Sequence, residues 1–220
     1  MLSYVKAENQ DRQTLLEMCS TTLTGAEAFT YLSLNEDISE GRLWCAKDEK
    51  NEIISVIYDD GDYYIKAAGN VFSSFFGYRE KCLMIYSGHS VPESSAVAVE
   101  GADLLRAFRL FCESDKLSFD NEQRYVYRRR AVNAGLARMF GIFSEGEPIS
   151  VASVSAVNLR YAVISDVFTR RDMRGKGLAA SVLAAAVGSC LEDNKIPLLL
   201  CDDTMRSYYE RAGFEYYGKM

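Results

Sequence analysis

Between Val163 and Ala179 the chain reads VISDVFTRRDMRGKGLA, and the types and spacing of these residues suit the binding of an anion. Arg174-Gly175-Lys176-Gly177 interleaves two cations with two glycines, directly after an apolar β-branched run and directly before an alanine-rich stretch. A strand that passes through a tight turn into a helix start presents backbone N–H groups without intrahelical partners. They lie at the end where the helix dipole favours negative charge. Gly175 and Gly177 remove the Cβ that would hold a phosphate off the backbone. Arg174 adds a guanidinium fork suited to phosphate oxygens. The nucleotidase pattern GxxxxGK[ST] is absent, and GxGxxG meets Ala180 where its third glycine belongs. Alanine is sometimes accepted there, so a dinucleotide stays an alternative on these residues alone.

The stretch VFTRRDMRGKGLA resembles the pyrophosphate-binding motif of the GNAT superfamily of N-acetyltransferases, whose members use acetyl-CoA. Family strands often read V-[YF]-T, then four residues, then R-G-x-G-x-A, and this chain keeps that register. Tyr209-Glu210-Arg211-Ala212-Gly213-Phe214 is similar to the family's closing Y-E-x-x-G-F. The resemblance implies an α/β (α+β) fold with a mixed central sheet flanked by helices. It also implies acetyl-CoA as cosubstrate, with pyrophosphate on Arg174, Gly175, Lys176, Gly177, Leu178 and Ala179. Val167, Phe168 and Thr169 would lie on a strand splayed from its neighbour, where backbone groups meet the pantetheine arm and thioester. Tyr209 matches the family tyrosine that protonates the CoA sulfur. Two positions depart from the pattern. Asp172 stands where the family often has Gln or Arg, and Asp202 where it often has Asn.

Acetyl transfer to an amine also needs a route for the proton leaving nitrogen. Asp166, on the entering strand and on the face opposite Val167, is the catalytic candidate, the alternative being a merely structural carboxylate paired with Arg170 or Arg171. Glu100, the Asp202–Asp203 pair or a chain of waters are alternatives. His89, in the loop-like GHSVPESS, is not assigned a role.

The elements that must position these residues follow from periodicity. Residues 9–20 and 25–34 read as helices, and Leu43–Ala46, Ile53–Tyr58 and Tyr63–Ala67 as strands across polar turns. A Phe-rich segment (Phe72, Phe75, Phe76), a strand Cys82–Tyr86 and a helix Gly101–Ser114 come next. Asp120 and Gln123 resemble a capping box opening a further helix. On that helix Arg128-Arg129-Arg130 reads as a solvated face. The second half then reads as strands Leu136–Phe143, Ile149–Ala156 and Arg160–Phe168, helix 177–192, strand Pro197–Cys201, helix Thr204–Ala212 and a tail strand. Both halves share an outline of three strands, helix, strand and helix. That outline suggests a tandem: residues 1–120 as a degenerate acceptor-side copy, and 121–220 as the half that binds acetyl-CoA.

Composition excludes other classes. A net charge of −6 argues against non-specific nucleic-acid binding. No apolar run reaches membrane-spanning length and the start lacks a signal peptide's apolar core, so a cytoplasmic protein is expected. Six scattered cysteines without a CxxC pair, and one histidine, argue against a metal site and read as buried small hydrophobes. The acceptor is expected to be a small-molecule or peptide amine. The acidic balance hints at a cationic one, such as a polyamine or an aminoglycoside. Oligomeric state is not legible. Transfer is expected to be direct, with no covalent enzyme intermediate. A non-catalytic acyl-CoA-binding or regulatory module is the competing reading.

Overall fold

The strand on which the molecule is built, Glu147–Val157, alternates small, β-branched and serine residues and is buried at nine of its eleven positions. The computed structural model describes residues 4–39, 41–59, 64–69, 81–88, 90, 93–115 and 121–219. In chain order the elements are β1 (Tyr4–Lys6), α1 (Arg12–Cys19), α2 (Ala26–Leu34), β2 (Leu43–Lys47), β3 (Ile53–Asp59), β4 (Tyr64–Gly69), β5 (Cys82–Tyr86), β6 (Val97–Ala98), α3 (Gly101–Asp115) and α4 (Asn121–Asn133). There follow β7 (Arg138–Ser144), β8 (Glu147–Val157), β9 (Tyr161–Thr169), α5 (Leu178–Glu192), β10 (Ile196–Cys201), α6 (Arg206–Arg211) and β11 (Phe214–Lys219). Short β1 and β6 carry no periodic signal and were not expected. The Phe-rich segment, the turn at 60–62, the cap at Asp120 and His89 lie outside the described residues.

Two sheets form. The first is antiparallel, in the order β1-β2-β3-β4; the second runs β11-β5-β10-β9-β8-β7-β6. β5, counted with the first half from the sequence, lies between β10 and β11, antiparallel to both, with Cys82 opposite Cys201 and Tyr86 opposite Phe214. The large sheet therefore crosses the division at residue 120, and the repeated outline is not repeated in strand pairing. β9 and β10 form a parallel pair within an otherwise antiparallel sheet, which makes it mixed.

α5 covers one face of the large sheet. Val182, Leu183, Ala186, Val187 and Cys190 pack on Val154, Ile164, Leu199 and Met84. α3 covers part of the other face, with Leu104, Ala107 and Phe108 on Met139 and Val151. α2 serves both sheets. Ala28 and Leu32 join the first sheet's core with Leu43, Val56 and Tyr58, while Ala26 packs against Leu83, Ala156, Val163 and Leu198. Small residues on two sides of one helix permit this double contact, as expected of a helix apolar all round. The six cysteines are free and buried, as small hydrophobes would be. No helix among the described residues is long and apolar enough to cross a membrane.

The halves are also pinned by hydrogen bonds at the β8–β9 turn. Fully buried Asn158 donates Nδ2 to the carbonyls of Cys19 and Thr22, both at 2.9 Å. Its Oδ1 accepts from the backbone N–H groups of Arg160 and Tyr161. Thr30 Oγ1 accepts from Val157 N and donates to Val157 O. Removing a buried amide strands the groups it satisfied. Asn158→Ala is thus expected to destabilise the protein by about 3 kcal/mol, a fall of roughly 10 °C in Tm. Thermal unfolding followed by circular dichroism checks this, and a change under about 2 °C would show that the clasp contributes little.

Candidate functional site

The site begins where β9 leaves β10. Their parallel pairing holds only from Tyr161–Ile196 to Val163–Leu198. Beyond it β10 continues to Cys201 against β5, and β9 continues to Thr169 against β8. From Ile164 onward the β10-facing edge of β9 therefore has no strand partner among the described residues, and the two strands form an open V. The cause is local. The β8–β9 ladder slips register twice, between Val151 and Ser153 and between Val154 and Ala156. Each bulge adds twist and turns the strand from its former neighbour.

One bulge is centred on Asp166, whose φ of 53° lies in the left-handed region that Asp tolerates better than most residues. The extra residue keeps Ser165 and Asp166 on one face. Both line a cavity, whereas Ile164 and Val167 pack on the α5 side.

After Thr169 a 3-10 turn at Arg171–Met173 leads to Gly175 and Gly177, both left-handed at φ 76° and 78°. A Cβ built at either glycine meets no atom within 4 Å, so the loop keeps open space beside its backbone. Gly177 is the N-cap of α5, and no side chain caps that end. Arg174 donates Nε to the Thr169 carbonyl at 3.0 Å and stacks 5.5 Å from the centre of the Phe168 ring. Its guanidinium is thereby fixed beside the loop. Lys176 is exposed. Two left-handed glycines, an uncapped helix start and a tethered arginine form a cradle whose backbone and charge favour an anion over a cation.

Beyond the V, α6 carries Tyr209. Its ring packs edge-on against Tyr208 and Phe214, at 5.1 and 6.0 Å between centroids. Burial, with Cys201 and Tyr208 nearby, pushes its hydroxyl well above the ordinary tyrosine value, so it stays a proton donor throughout the neutral range. Tyr208, the other candidate for a structural aromatic, buries a hydroxyl that has no hydrogen-bond partner.

The sequence profile of the Acetyltransferase (GNAT) family matches residues 102–214, just over half of the chain. The chain belongs to the GNAT family of acetyltransferases. No curated sequence matches it. Among solved structures, a GNAT-family acetyltransferase from Colwellia psychrerythraea superposes with a TM-score of 0.62 at 10% identity, over all of this chain and 97% of that one. The glucosamine N-acetyltransferase region of a fungal multi-domain GH3 β-N-acetylglucosaminidase gives 0.57 at 10% identity, over all of this chain and 37% of that one. A GNAT-family protein from Novosphingobium aromaticivorans gives 0.51 at 20% identity, over 64% of this chain and 61% of its own length. At these identities the likeness is one of fold, and the fold is the GNAT arrangement of a mixed sheet flanked by helices. The family match begins at residue 102, ahead of the division expected at 120.

Within this GNAT fold, Val167, Phe168 and Thr169 occupy the unpaired end of β9, residues 174–177 form the loop, and Leu178 and Ala179 open α5. Tyr209 borders the α5-side core, and Asp166 faces the cavity on the other side of β9. The two catalytic candidates are thus not in contact but flank the open edge.

Asp166 pairs with neither Arg170 nor Arg171. Arg128 of α4 reaches it, Nη2 to Oδ2 at 2.9 Å, with the two side chains only 15% and 9% exposed. Arg170 is already committed to Asp172 through two hydrogen bonds of 2.7 and 2.9 Å. The three arginines are accordingly not one solvated face. Arg128 turns inward, Arg130 donates to the Leu34 carbonyl at the end of α2, and Arg129 alone is exposed without such a contact. Of the alternatives to Asp166, Asp202 pairs with Lys81 at 2.6 Å and Asp203 accepts from the Cys82 thiol. Glu100 is exposed just ahead of α3. Among the described residues no group of His, Cys, Asp and Glu could hold a metal.

Sequence reasoning missed the far wall of the cavity. Its volume is about 310 Å³, and it is lined from α2, β3, α3 and α4 and by Arg42 just ahead of β2, as well as from β8 and β9. Tyr58 is hydrogen-bonded to Arg42 and to Tyr127. Burial pushes the Tyr127 hydroxyl up to about 12 and raises that of Tyr58 as well, so both phenols are neutral donors. The one available signal was the break in helical pattern at Arg128, where a charge falls between Tyr125 and Val132 of the buried face.

Proposed function

We propose that the protein is an N-acetyltransferase that moves an acetyl group from acetyl-CoA to a primary amine by direct transfer. The observation that carries this reading is the V between β9 and β10 opening onto a cradle of two left-handed glycines at a helix start. The residues present fit acetyl-CoA. Gly175, Gly177 and the first turn of α5 would hold the pyrophosphate, with Arg174 and Lys176 adding charge. The unpaired edge of β9 at Val167–Thr169 would accept the pantetheine arm. Acetyl-CoA, when bound, supplies an activated thioester.

The chain's own groups would do the rest. The backbone edge at Val167 would orient the thioester carbonyl. The Tyr209 hydroxyl, kept protonated by its burial, would give its proton to the sulfur as the thiolate develops. Asp166, on the cavity side of the same edge, would take the proton from the amine, directly or through water. The Arg128 contact fixes its carboxylate in place. The acceptor would approach through the cavity, part of whose wall comes from the first half of the chain.

Calorimetric titration with acetyl-CoA, followed by amine-dependent thiol release, tests the proposal. Micromolar binding with turnover supports it; binding without turnover on any amine would favour a regulatory acyl-CoA module. No binding would sink both.

The departure at Asp172 makes a separate prediction. Its carboxylate sits in the turn leading to the loop, held below the usual carboxylate range by its hydrogen bonds with Arg170. Asp172→Gln removes a negative charge near the phosphates and releases Arg170. A negative charge at a helix start weakens the hold on an anion there, so acetyl-CoA should bind roughly two- to five-fold tighter, with the gain shrinking at high salt. Weaker binding in the variant would show that the Asp172–Arg170 fork supports the loop instead.

A further inference from the structure

The chain is acidic overall, yet the wall of the cavity beside Asp166 is not. Among the described residues that line it, three arginines, Arg42, Arg124 and Arg128, stand with two carboxylates, Glu27 and Asp166. Phe108, Phe111, Tyr58 and Tyr127 complete the wall and lower the local dielectric, so these charges are felt more strongly than on the surface. Resting on the acetyl-transfer reading of the same site, we propose that the acceptor is a small amine that also carries an anionic group, a carboxylate or a phosphate.

The polar atoms at the base of the cavity specify such a ligand. Arg128 is mostly buried, and its Nη1 has no hydrogen-bond partner among the described residues. Nη2 meets Asp166 Oδ2 as an ion pair, and Oδ2 makes no hydrogen bond either. Ser165 Oγ, next along the wall, is buried and also without a partner. Buried donors and acceptors left in this state cost free energy that a ligand recovers by pairing with them. A guanidinium donor calls for a ligand oxygen, best an anionic one. A carboxylate acceptor calls for a ligand N–H. One molecule bearing both groups answers both demands, and a plain diamine answers only the second while adding charge beside three arginines.

Orientation follows from position. Asp166 adjoins Val167 at the open edge of β9, so the amine belongs at Asp166. The anionic group then lies toward Arg128 and Arg124, which are one helical turn apart on the same face of α4. A cavity of about 310 Å³ suits a molecule of amino-acid size.

The test compares five probes by calorimetry, with and without CoA, and then by thiol release in the presence of acetyl-CoA. L-phenylalanine and O-phosphoethanolamine carry the anion as carboxylate and as phosphate. Phenylalaninamide and ethanolamine are their counterparts without it, and 1,4-diaminobutane is the dication. At least one anionic probe should bind about tenfold or more tightly than its counterpart, and which of the two does so separates carboxylate from phosphate. Arg124→Gln and Arg128→Lys should each cut that preference several-fold. The second keeps a charge beside Asp166 and so guards against misfolding. Equal or better binding of the probes that lack the anion, monoamine or diamine, overturns the proposal. So does a preference that survives both substitutions, or the absence of binding by all five below about 10 mM. A wild type that fails to bind acetyl-CoA would refute the transfer reading by a separate measurement, because probe binding is read without acetyl-CoA.

Discussion

Gly175→Asp is expected to abolish acetyl-CoA binding, raising Kd by at least about 100-fold, or roughly 2.7 kcal/mol. Two effects add. A side chain forced to φ 76° costs about 1 kcal/mol of conformational strain, less for Asp than for a branched residue. The carboxylate then sits where the backbone would meet phosphate, and repels it. The fold itself should survive, because a Cβ at this position meets no atom within 4 Å and the loop is exposed. Tm should therefore fall by only a few degrees, about what 1 kcal/mol does in a chain of this size. Gly175→Ala is the graded control, carrying the strain without the charge. Calorimetry with acetyl-CoA beside a thermal melt reads both effects. A normal melt with undiminished affinity would place the phosphates elsewhere.

Tyr209→Phe should lower kcat by about 100-fold, the low end of the range for a positioned general acid, while the affinity for acetyl-CoA changes less than about twofold. The variant keeps the ring and with it the edge contacts to Tyr208 and Phe214, so packing is untouched. Tyr208→Phe is the internal comparison. Its hydroxyl is buried and unpartnered, so its loss should leave kcat unchanged and stabilise the protein by about 1 kcal/mol. The pH profile adds a reading that a structural role would not move. Because burial raises the Tyr209 hydroxyl, its protonated form persists above the ordinary value near 10. The alkaline fall in kcat should therefore begin later than an exposed tyrosine allows. Equal kcat losses in the two variants would reduce Tyr209 to a core aromatic. An unchanged kcat in Tyr209→Phe would hand the proton to another donor.

Much of this site was legible in sequence because its signals are local. Arg174-Gly175-Lys176-Gly177 encodes a backbone conformation that few other residues reach, and the strand before it and the helix after it show in their apolar periods within a few residues. α5 was expected at 177–192 and runs from Leu178 to Glu192, and Cys82–Tyr86 was placed to the residue. Where β5 would go was another matter. Its pattern says that it is buried, not that its neighbours are β10 and β11, more than a hundred residues away, and so the tandem outline did not become a tandem of sheets.

The same limit applies to Asp166. Arg170 and Arg171 are close in sequence, yet Arg128 reaches it from α4 once the helix has packed across β7 and β8. The two register slips that open the V and seat Ser165 and Asp166 side by side depend on how β8 and β9 meet, each a matter of a single residue in the pairing. Spacing along the chain therefore specified a glycine-rich turn at a helix start and the order of its supporting strand and helix. Assembly of the chain supplied the cavity, its arginines and the partner of Asp166, because ion pairs and strand neighbours are chosen by distance in space.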